Sequence, residues 1–431
     1  MTSSAAPAIP GHPFFAYRDG QLFAGDVSVA QLAAQYGTPL FVYSQAAMRH
    51  ALDGYRRGFA GHQVKIHYAV KANSNLAILQ FFAREGCGFD IVSLGELQRV
   101  LAAGARPEDV VFSGVGKTRH EMRVALTHGI GCFNVESVPE LHVLNQVAGE
   151  LGVQAPISLR VNPDVDPQTH PYISTGLKGN KFGISHQDAV ATFALAASLP
   201  HLRVRGIDSH IGSQITTEAP FLDALDRLLD IVEQVEAAGI PIHHIDCGGG
   251  LGIHYSDQLP PATETLWQKM FAKAQARGFA DRAFMVEPGR SLVGNAGICL
   301  TEVLYLKPGE EKNFCIVDAA MNDLPRPAMY EAFHAIVPVQ QASEADATAA
   351  VVYDVVGPVC ESGDWLGRDR ALHVAPGDWL AVCSAGAYCM SMASQYNTRP
   401  KATEILVDGS TAHCIRQRDD FAALVAGEIL L

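Results

Sequence analysis

The feature that most constrains this fold is a regular alternation, between residues 64 and 287, of short β-rich runs with amphipathic helical patterns. The β-rich runs are VKIHYAV at 64–70, GFDIV at 88–92, VVFSG at 110–114, GCFNV at 131–135, ISLRV at 157–161, VRGID at 204–208, HHIDC at 243–247 and AFMVE at 283–287. The segments between them, such as SLGELQRVLAAGA at 93–105, carry apolar residues at the three- and four-residue spacing of a helix. Eight strands alternating with helices predict an α/β fold, a (β/α)8 barrel of the TIM type.

The pattern changes after about residue 295. Segments such as AAVVYDVVGPVC at 349–360 and DWLAVCSAG at 378–386 are β-rich and lie among turn residues, with few long helices. We therefore expect a barrel at 41–295 that binds the ligand and a C-terminal antiparallel β-domain at 296–431. The N-terminal segment, 1–40, contains YRDGQLFAGDVSV, which also reads as strand and turn, so we expect it to pack with the β-domain.

Composition excludes several classes of function. The chain has 431 residues and a formal net charge of −13, which argues against nucleic acid as a partner because phosphate backbones need a basic surface. Nine scattered cysteines without a C-x-x-C pair argue against a disulfide framework or a zinc ribbon, and no metal site is expected. No run of 18 apolar residues and no signal peptide are present, so we expect no membrane contact and a cytoplasmic location.

One charged residue follows the first of the eight runs, and another ends the last run. In a barrel of this kind the chemistry gathers at the carboxyl ends of the strands, here called the barrel mouth. Lys71, in YAVKAN, would place a partly desolvated amine there, as Schiff-base chemistry requires; a solvated loop charge is the alternative. Glu287, in EPGR, would bind the nitrogen of a pyridine ring and keep the ring cationic, or form a structural salt bridge with a nearby arginine. In the first case Arg290 could bind a carboxylate with its two-pronged donor geometry.

Two polar turns follow the sixth and seventh runs. In SHIGSQ, His210 could lay its ring against a flat cofactor and Ser213 could bind a phosphate, although a lone histidine is more often structural. In CGGGLG, Gly249 and Gly250 let backbone N–H groups approach an anion, as commonly occurs after strands seven and eight, while a flexible turn is the alternative. An amine, a ring-sized histidine, an anion site and a carboxylate at one mouth are the groups that pyridoxal 5'-phosphate needs.

The ordered set of motifs identifies a family. YAVKAN, SHIGSQ, CGGGLG, EPGR, CESGDW and AGAYCMSMASQYN follow one another as in the fold-type III pyridoxal-phosphate decarboxylases, which the chain resembles from about Phe14 to Pro400. Single motifs of this set are weak, but their order is specific. Members of the family pair a barrel with a C-terminal β-domain and work as dimers. The resemblance therefore implies an enzyme that acts on a small-molecule amino acid as a homodimer with shared active sites.

The resemblance also implies a role for each matching residue. Those around the cofactor are Lys71 as the Schiff-base lysine, His210 against the ring, Glu287 at the pyridinium nitrogen, Gly289 and Arg290 beside it, and Ser213, Gly249, Gly250 and Tyr388 around the phosphate. Those around the substrate are Arg290, Arg326 and Tyr330 at the distal carboxylate, Tyr388 beside them, Glu361 at the distal ammonium and Cys360 as the proton donor. Cys360 and Glu361 correspond to a pair donated across the dimer interface. Read singly, Cys360 could instead be a buried thiol, Arg326 a surface charge and Tyr388 a core aromatic.

The substrate is indicated by fewer residues. A pocket for a second amino-acid head needs cations for its carboxylate and an anion for its ammonium, a pattern that Arg290, Arg326 and Glu361 supply. Related enzymes that act on ornithine or arginine bind no distal carboxylate and typically carry Asp in place of this Glu. The resemblance thus favours decarboxylation of meso-2,6-diaminopimelate to L-lysine, the last step of lysine biosynthesis. The alternatives are a decarboxylase of ornithine, arginine, lysine or a carrier-bound amino acid, and a non-catalytic homologue, against which Lys71 and the glycine triplet argue.

Overall fold

The computed structural model describes residues 9–167, 169, 175, 180–256, 258–342 and 350–431. The strands are β1 Phe15–Arg18, β2 Gln21–Ala24, β3 Val27–Ser28, β4 Leu40–Ser44, β5 Val64–Ala69, β6 Gly88–Ile91, β7 Val110–Phe112, β8 Cys132–Val135, β9 Ala155–Asn162, β10 Ile184–Ser185, β11 Leu202–Asp208, β12 His244–Asp246, β13 Ala283–Val286, β14 Gly297–Lys307, β15 Asn313–Val317, β16 Ile336–Pro338, β17 Val351–Val356, β18 Trp365–Leu372, β19 Trp379–Val382, β20 Thr403–Asp408 and β21 Thr411–Arg416. The helices are α1 Val29–Tyr36, α2 Gln45–Gly58, α3 Leu76–Arg84, α4 Leu94–Ala102, α5 Arg119–His128, α6 Val138–Leu151, α7 Ala189–Ser198, α8 Ala219–Ala237, α9 Thr263–Ala276, α10 Arg290–Val293, α11 Arg326–Tyr330 and α12 Phe421–Leu424.

The chain divides into two compact units. Unit 1 consists of Met1–Ala51, His254–Gln258 and Leu292–Leu431, and unit 2 of Leu52–Ile253 and Leu259–Ser291. Residues 1–8 of the predicted N-terminal segment lie outside the described residues. Unit 2 thus begins some way into the range that the sequence assigns to the barrel, and residues 41–51 belong to unit 1.

Unit 2 is the predicted barrel, and its eight strands are confirmed. All neighbouring strands are parallel, in the order β5-β6-β7-β8-β9-β11-β12-β13, and β13 pairs with β5 to close the ring. A short additional strand, β10, pairs with β9. The strands are buried on both faces, which is why they read in the sequence as nearly continuous apolar runs.

Helices α4, α5 and α6 of the barrel begin with side-chain caps. Ser93 caps α4 by accepting a hydrogen bond from the Glu96 N–H, and Ser137 caps α6 in the same way. Thr118 and Glu121 form a capping box at α5, in which each side chain satisfies a backbone N–H of the first turn. Each cap fixes the residue at which its helix begins, and therefore limits the length of the turn that connects the preceding strand to that helix.

Unit 1 is a β-rich unit built from both ends of the chain. Its larger sheet runs β18-β17-β15-β14-β4-β20-β21, with β19 and β16 joined beside β14, and β1, β2 and β3 form a small sheet of their own. Most pairs are antiparallel, as predicted, but β15 pairs with β17 and β20 pairs with β4 in parallel. The segment 40–44 is a central strand of this sheet, although the sequence places residues 41–51 with the barrel. A short buried apolar run has no feature of its own that assigns it to one sheet or the other.

The core of unit 1 lies where the N-terminal strands meet the large sheet. It contains buried apolar residues from both regions of the sequence, namely Phe15, Leu22, Ala24, Val29, Leu32, Ala33, Leu40, Val42, Ile298, Leu300, Val339, Ala381, Ile405 and Val407. The N–H of Leu22 donates to the carbonyl of Val339 at 2.9 Å, which ties the two regions together. Within the described part of the chain, no helix has the length and apolar character needed to cross a lipid bilayer.

Candidate active site

The amine of Lys71 is held by a buried carboxylate at the barrel mouth. Lys71 lies in the turn that follows β5, and its Nζ is 2.5 Å from Oδ2 of Asp90 on the neighbouring strand β6. The Asp90 side chain has no exposed surface, whereas that of Lys71 is 37% exposed. A buried carboxylate needs a cationic partner, so Lys71 is a fixed member of the mouth and not a solvated loop charge.

Glu287 follows β13 and belongs to a cluster of three buried carboxyl groups. Asn134, on β8, donates through Nδ2 to Oε1 of Glu287 at 3.1 Å. Asp208 at the end of β11 and Asp246 at the end of β12 each present an oxygen within 4.8 Å of the others and of Glu287. Arg160 on β9 is the neighbouring cation, with Nε 3.9 Å from Oδ2 of Asp208.

This cluster retains protons. Burial, followed by repulsion from Asp246, raises the pKa of Glu287 and of Asp208, and burial raises the pKa of Asp246 to about 7. Oδ1 of Asp246 accepts from the Gly248 N–H at 2.9 Å, while Oδ2 has no donor among the described residues. A proton on Glu287, donated to Asp246, would satisfy Oδ2. Three close carboxyl oxygens could also ligate a hard divalent cation, but the raised pKa values favour protons at this position.

His210 lies after β11 and presents a neutral ring. Its Nδ1 accepts a hydrogen bond from the Gly249 N–H at 3.1 Å, so the lone pair of this nitrogen points at the glycine-rich turn. Burial, followed by the charges of Arg160 and Lys71, lowers the pKa of His210 well below its usual value. The ring is half-buried, which leaves part of its surface for a flat ligand.

The glycine-rich turn packs too closely for any side chain. A Cβ on Gly249 would lie 2.3 Å from the carbonyl oxygen of Glu287, and one on Gly250 would lie 2.5 Å from that of Gly212. Gly250 also has a φ of +111°, which favours glycine. The turn is therefore a rigid cradle and not a flexible connection.

Ser213 and Arg290 complete an anion site beside the cradle. Oγ of Ser213 accepts from Nε and Nη2 of Arg290 at 3.2 and 3.0 Å, and Arg290 is buried. Gly289 allows the turn after β13 to pack on the Lys71 turn, because a Cβ there would lie 2.9 Å from Cβ of Ala72. A guanidinium, a hydroxyl and a glycine-rich turn together can bind a dianion such as a phosphate group.

The remaining predicted residues all belong to unit 1. Arg326 is 5% exposed and Nη1 lies 2.8 Å from Nε2 of His334, so it is not a surface charge. Cys360 is exposed, which removes the interpretation as a buried thiol, and Glu361 accepts from the hydroxyl of Tyr396 at 2.9 Å. Two tyrosines complete the set: Tyr330 ends α11, and Tyr388 is half-buried with a φ of +57°.

Several polar residues of these environments are missing from the sequence-based prediction. They are Asp90, Asn134, Arg160, Asp208 and Asp246 at the barrel mouth and His334 in unit 1. Each of the five barrel residues is a polar residue inside or at the end of an apolar run, as in GFDIV, VRGID and HHIDC. That interruption is the signal that could have identified them, because a central strand rarely carries a buried charge without a partner.

The mouth of the closed barrel brings together an amine, a neutral imidazole, a glycine-rich turn and buried carboxyl groups, which are the functional groups of an enzyme active site. Comparison with known proteins agrees. The family model described as "Pyridoxal-dependent decarboxylase, pyridoxal binding domain" matches residues 45–294. The chain therefore belongs to the pyridoxal-dependent decarboxylase family, whose members are amino-acid decarboxylases.

Relatives over nearly the full length carry a more specific name. The diaminopimelate decarboxylase of Pseudomonas aeruginosa is 55% identical over 417 residues, which cover 97% of this chain and 99% of that protein. That of Vibrio cholerae is 53% identical over 419 residues, with the same coverage. Among solved structures, the diaminopimelate decarboxylase of M. jannaschii in complex with L-lysine superposes with a TM-score of 0.92 at 36% identity, covering 98% of this chain and 99% of that one. The Helicobacter pylori enzyme, also with L-lysine, gives 0.88 at 40% identity, covering 93% and 98%.

Proposed function

We propose that this protein decarboxylates meso-2,6-diaminopimelate to L-lysine and carbon dioxide, with pyridoxal 5'-phosphate as its cofactor. The observation that carries the proposal is the set of groups at one barrel mouth: the amine of Lys71, the neutral ring of His210, the anion site at Ser213 and the buried carboxyl of Glu287. The choice of substrate is supported by the named relatives at 53–55% identity.

The residues at the mouth fit this cofactor. The glycine cradle admits only backbone and has room for no Cβ, and it lies beside the cation and hydroxyl that a phosphate requires. Buried carboxyl oxygens on Asp208 and Asp246 have no donor among the described residues, which suits a site that receives a cationic ring. When bound, the cofactor supplies an electron sink for the electrons of the broken Cα–carboxylate bond.

Lys71 and Glu287 are the two residues that we assign to the ends of the ring. Asp90 fixes the Lys71 amine at the end of β5, where that amine would hold the aldehyde end of the cofactor. Asn134 orients Oε1 of Glu287, so that the other carboxyl oxygen can hold a proton at the ring nitrogen. His210 would support the ring face, and Ser213, Gly249, Gly250, Gly289 and Arg290, together with Tyr388 of unit 1, would hold the phosphate end.

The substrate's second amino-acid head would be bound by residues of both signs. We assign its carboxylate to Arg290, Arg326 and Tyr330, with Tyr388 beside them, and its ammonium to Glu361. Cys360 would return a proton to the carbon that loses carbon dioxide. The exposure of Cys360 and Glu361 supports the proposal that a homodimer shares its active sites, because an exposed pair can be offered to a second subunit. The nine cysteines all lie among the described residues and form no disulfide there, which supports a cytoplasmic location.

A decarboxylase of ornithine, arginine, lysine or a carrier-bound amino acid is the second candidate. It uses the same barrel mouth but no distal carboxylate. The relatives named diaminopimelate decarboxylase, at 53–55% identity over nearly the full length, favour diaminopimelate. A non-catalytic homologue would not need the Lys71–Asp90 pair or the glycine cradle.

The test is product analysis on protein loaded with pyridoxal 5'-phosphate. With meso-2,6-diaminopimelate we expect carbon dioxide and L-lysine in equal amounts, and no comparable release from ornithine, arginine or lysine. Lys71→Ala serves as the control and should show neither turnover nor the absorption band of lysine-bound cofactor. A preference for a substrate without the distal carboxylate would contradict the proposal.

A further inference from the structure

His334 is a wholly buried histidine whose two ring nitrogens both have partners. It lies shortly after α11 in unit 1 and has 0% exposed surface. Its Nδ1 is 2.8 Å from the carbonyl oxygen of Cys383, and its Nε2 is 2.8 Å from Nη1 of Arg326. The imidazole therefore lies between the backbone of one segment and the guanidinium of another.

The chemistry of these partners fixes the tautomer of the ring. A carbonyl oxygen only accepts hydrogen bonds, so Nδ1 must carry the proton that it donates to Cys383. A guanidinium only donates, so Nε2 must be the unprotonated nitrogen that accepts from Arg326. His334 is thus a neutral acceptor aimed at one N–H of Arg326.

The backbone anchors His334, and an aromatic ring holds Arg326 from another side. Cys383 directly follows β19, and its N–H donates to the carbonyl of Ala335 at 2.8 Å, so the segment carrying His334 is tied to that strand twice. The guanidinium carbon of Arg326 lies 4.6 Å from the centre of the Tyr255 ring, which in turn meets the His334 ring edge-on at 5.2 Å. The plane and the rotation of the guanidinium are both constrained.

We propose that His334 is a positioning residue that fixes the orientation of the Arg326 guanidinium and thereby sets the affinity for the distal carboxylate of the substrate. The inference rests on the proposed function, in which Arg326 binds that carboxylate. A planar fork binds a carboxylate well only when its N–H groups point in the required directions. Without an acceptor at Nε2, one N–H of the buried guanidinium would have to turn toward another partner.

The positioning role of His334 predicts which ligands lose affinity when its acceptor is removed. L-Lysine keeps the distal amino-acid head of diaminopimelate, so its binding depends on Arg326. Pentane-1,5-diamine keeps the carbon chain between the two amino nitrogens but has no carboxylate, so its binding does not depend on Arg326. Loss of the acceptor should raise the KM for diaminopimelate and weaken L-lysine binding, while kcat changes little because the reacting carbon lies at the other end of the substrate.

Two variants of similar size distinguish the effect of losing the hydrogen-bond acceptor at Nε2 from the effect of changing the shape of the side chain. In His334→Asn the amide ends at the position of Nδ1, so the bond to Cys383 can persist and the acceptor for Arg326 is lost. In His334→Gln the amide reaches the position of Nε2 and can accept from Arg326. On the holoenzyme we expect His334→Asn to raise the KM and the inhibition constant of L-lysine on the order of 10- to 100-fold. His334→Gln should restore most of this loss, with the affinity for pentane-1,5-diamine unchanged in both.

A double-mutant cycle provides the second test. In an Arg326→Ala background, His334→Asn should add little to the rise in KM, since the group through which it acts is gone. Thermal unfolding and bound-cofactor content show whether each variant is folded. If His334→Asn does not fold, His334→Phe takes its place, because phenylalanine keeps the volume of the ring and lacks the acceptor.

The outcomes distinguish the two levels of the proposal. A wild-type holoenzyme that makes no L-lysine overturns the proposed function and this inference with it. An active wild type whose folded His334→Asn variant keeps its KM, or loses affinity for the diamine as much as for L-lysine, overturns the inference alone. Equal effects of the Asn variant with and without Arg326 would also overturn it.

Discussion

The carboxyl groups of Asp246 and Glu287 lie within 4.8 Å of each other at the ends of neighbouring barrel strands, and both are buried. Two such groups cannot both ionise freely at this separation in a region of low dielectric. The pair therefore carries a proton near neutral pH, with the pKa of Asp246 raised to about 7 by burial. Burial raises the pKa of Glu287 as well, so the two carboxyl groups hold that proton between them.

Asp246→Asn should flatten the pH dependence of stability in the protein without cofactor. The folded protein binds the proton of Asp246 more tightly than the unfolded chain does. The stabilisation from this group is therefore complete below the unfolded pKa of about 4 and is lost as the pH rises through about 7. One such proton changes the free energy of unfolding by about 1.4 kcal/mol per pH unit within that window. Denaturant unfolding between pH 4 and pH 8 measures the slope; an equal slope in wild type and variant would show that Asp246 does not hold the proton.

Asn134→Ala should lower kcat on the order of 10- to 100-fold, because it removes the hydrogen bond that orients Glu287. The same amide also donates to Oγ of Ser113 at 3.1 Å. Ser113→Ala is the matched control, since it removes the other partner and leaves the bond to Glu287 in place. Steady-state kinetics of both variants decide the matter, and similar losses in the two would mean that packing, not orientation of Glu287, is responsible.

Gly249→Ala should destabilise the fold by about 1–3 kcal/mol and weaken cofactor binding, because the new methyl group would lie 2.3 Å from the Glu287 carbonyl. Gly116 has open space around its Cβ position and no left-handed φ, so Gly116→Ala tests the same substitution without the clash. Urea unfolding and titration with pyridoxal 5'-phosphate are the measurements. Wild-type affinity in Gly249→Ala would contradict the assignment of this turn to the phosphate.

Asp90→Asn should slow uptake of the cofactor and lower kcat by about tenfold or more, because the Lys71 amine loses the carboxylate that fixes it. The exposed pair of Arg56 and Asp53, at 3.0 Å, offers a control in Asp53→Asn, since exposed pairs contribute only about 0–1 kcal/mol. The absorption change on cofactor addition gives the rate. An unchanged rate of cofactor uptake in Asp90→Asn would show that contacts other than the one with Asp90 position the Lys71 amine.

The barrel could be predicted from the sequence because each strand and helix has its own local pattern. Strand β4 was misplaced because the run LFVYS at 40–44 is buried on all sides, and such a run reads the same in a barrel and in a mixed sheet. The parallel pairings of β15 with β17 and of β20 with β4 depend on contacts between distant parts of the chain, which no local pattern encodes.

The candidate site likewise contains residues that local sequence motifs predict and residues that only the three-dimensional fold reveals. Lys71, His210, Glu287 and the glycine turn stand out because each follows a strand end in a recognisable motif. The acids that surround them do not, since Asp90, Asp208 and Asp246 each look like a single interruption of an apolar run. Their meaning arises only when the ring of strands brings them together. The partner of Arg326 was missed for a similar reason: His334 lies in an irregular segment, and its contacts are visible only in three dimensions.

The placement of β4 between β14 and β20 has a consequence for synthesis on the ribosome. The strand at Leu40–Ser44 must wait for partners that begin at residues 297 and 403 before its hydrogen bonds to them can form. The barrel, by contrast, is complete in sequence once residue 286 has emerged. The nascent protein would therefore carry an unpaired apolar strand until β14 and β20 are made, and a chain that stopped short of β20 would leave one edge of that strand open to aggregation.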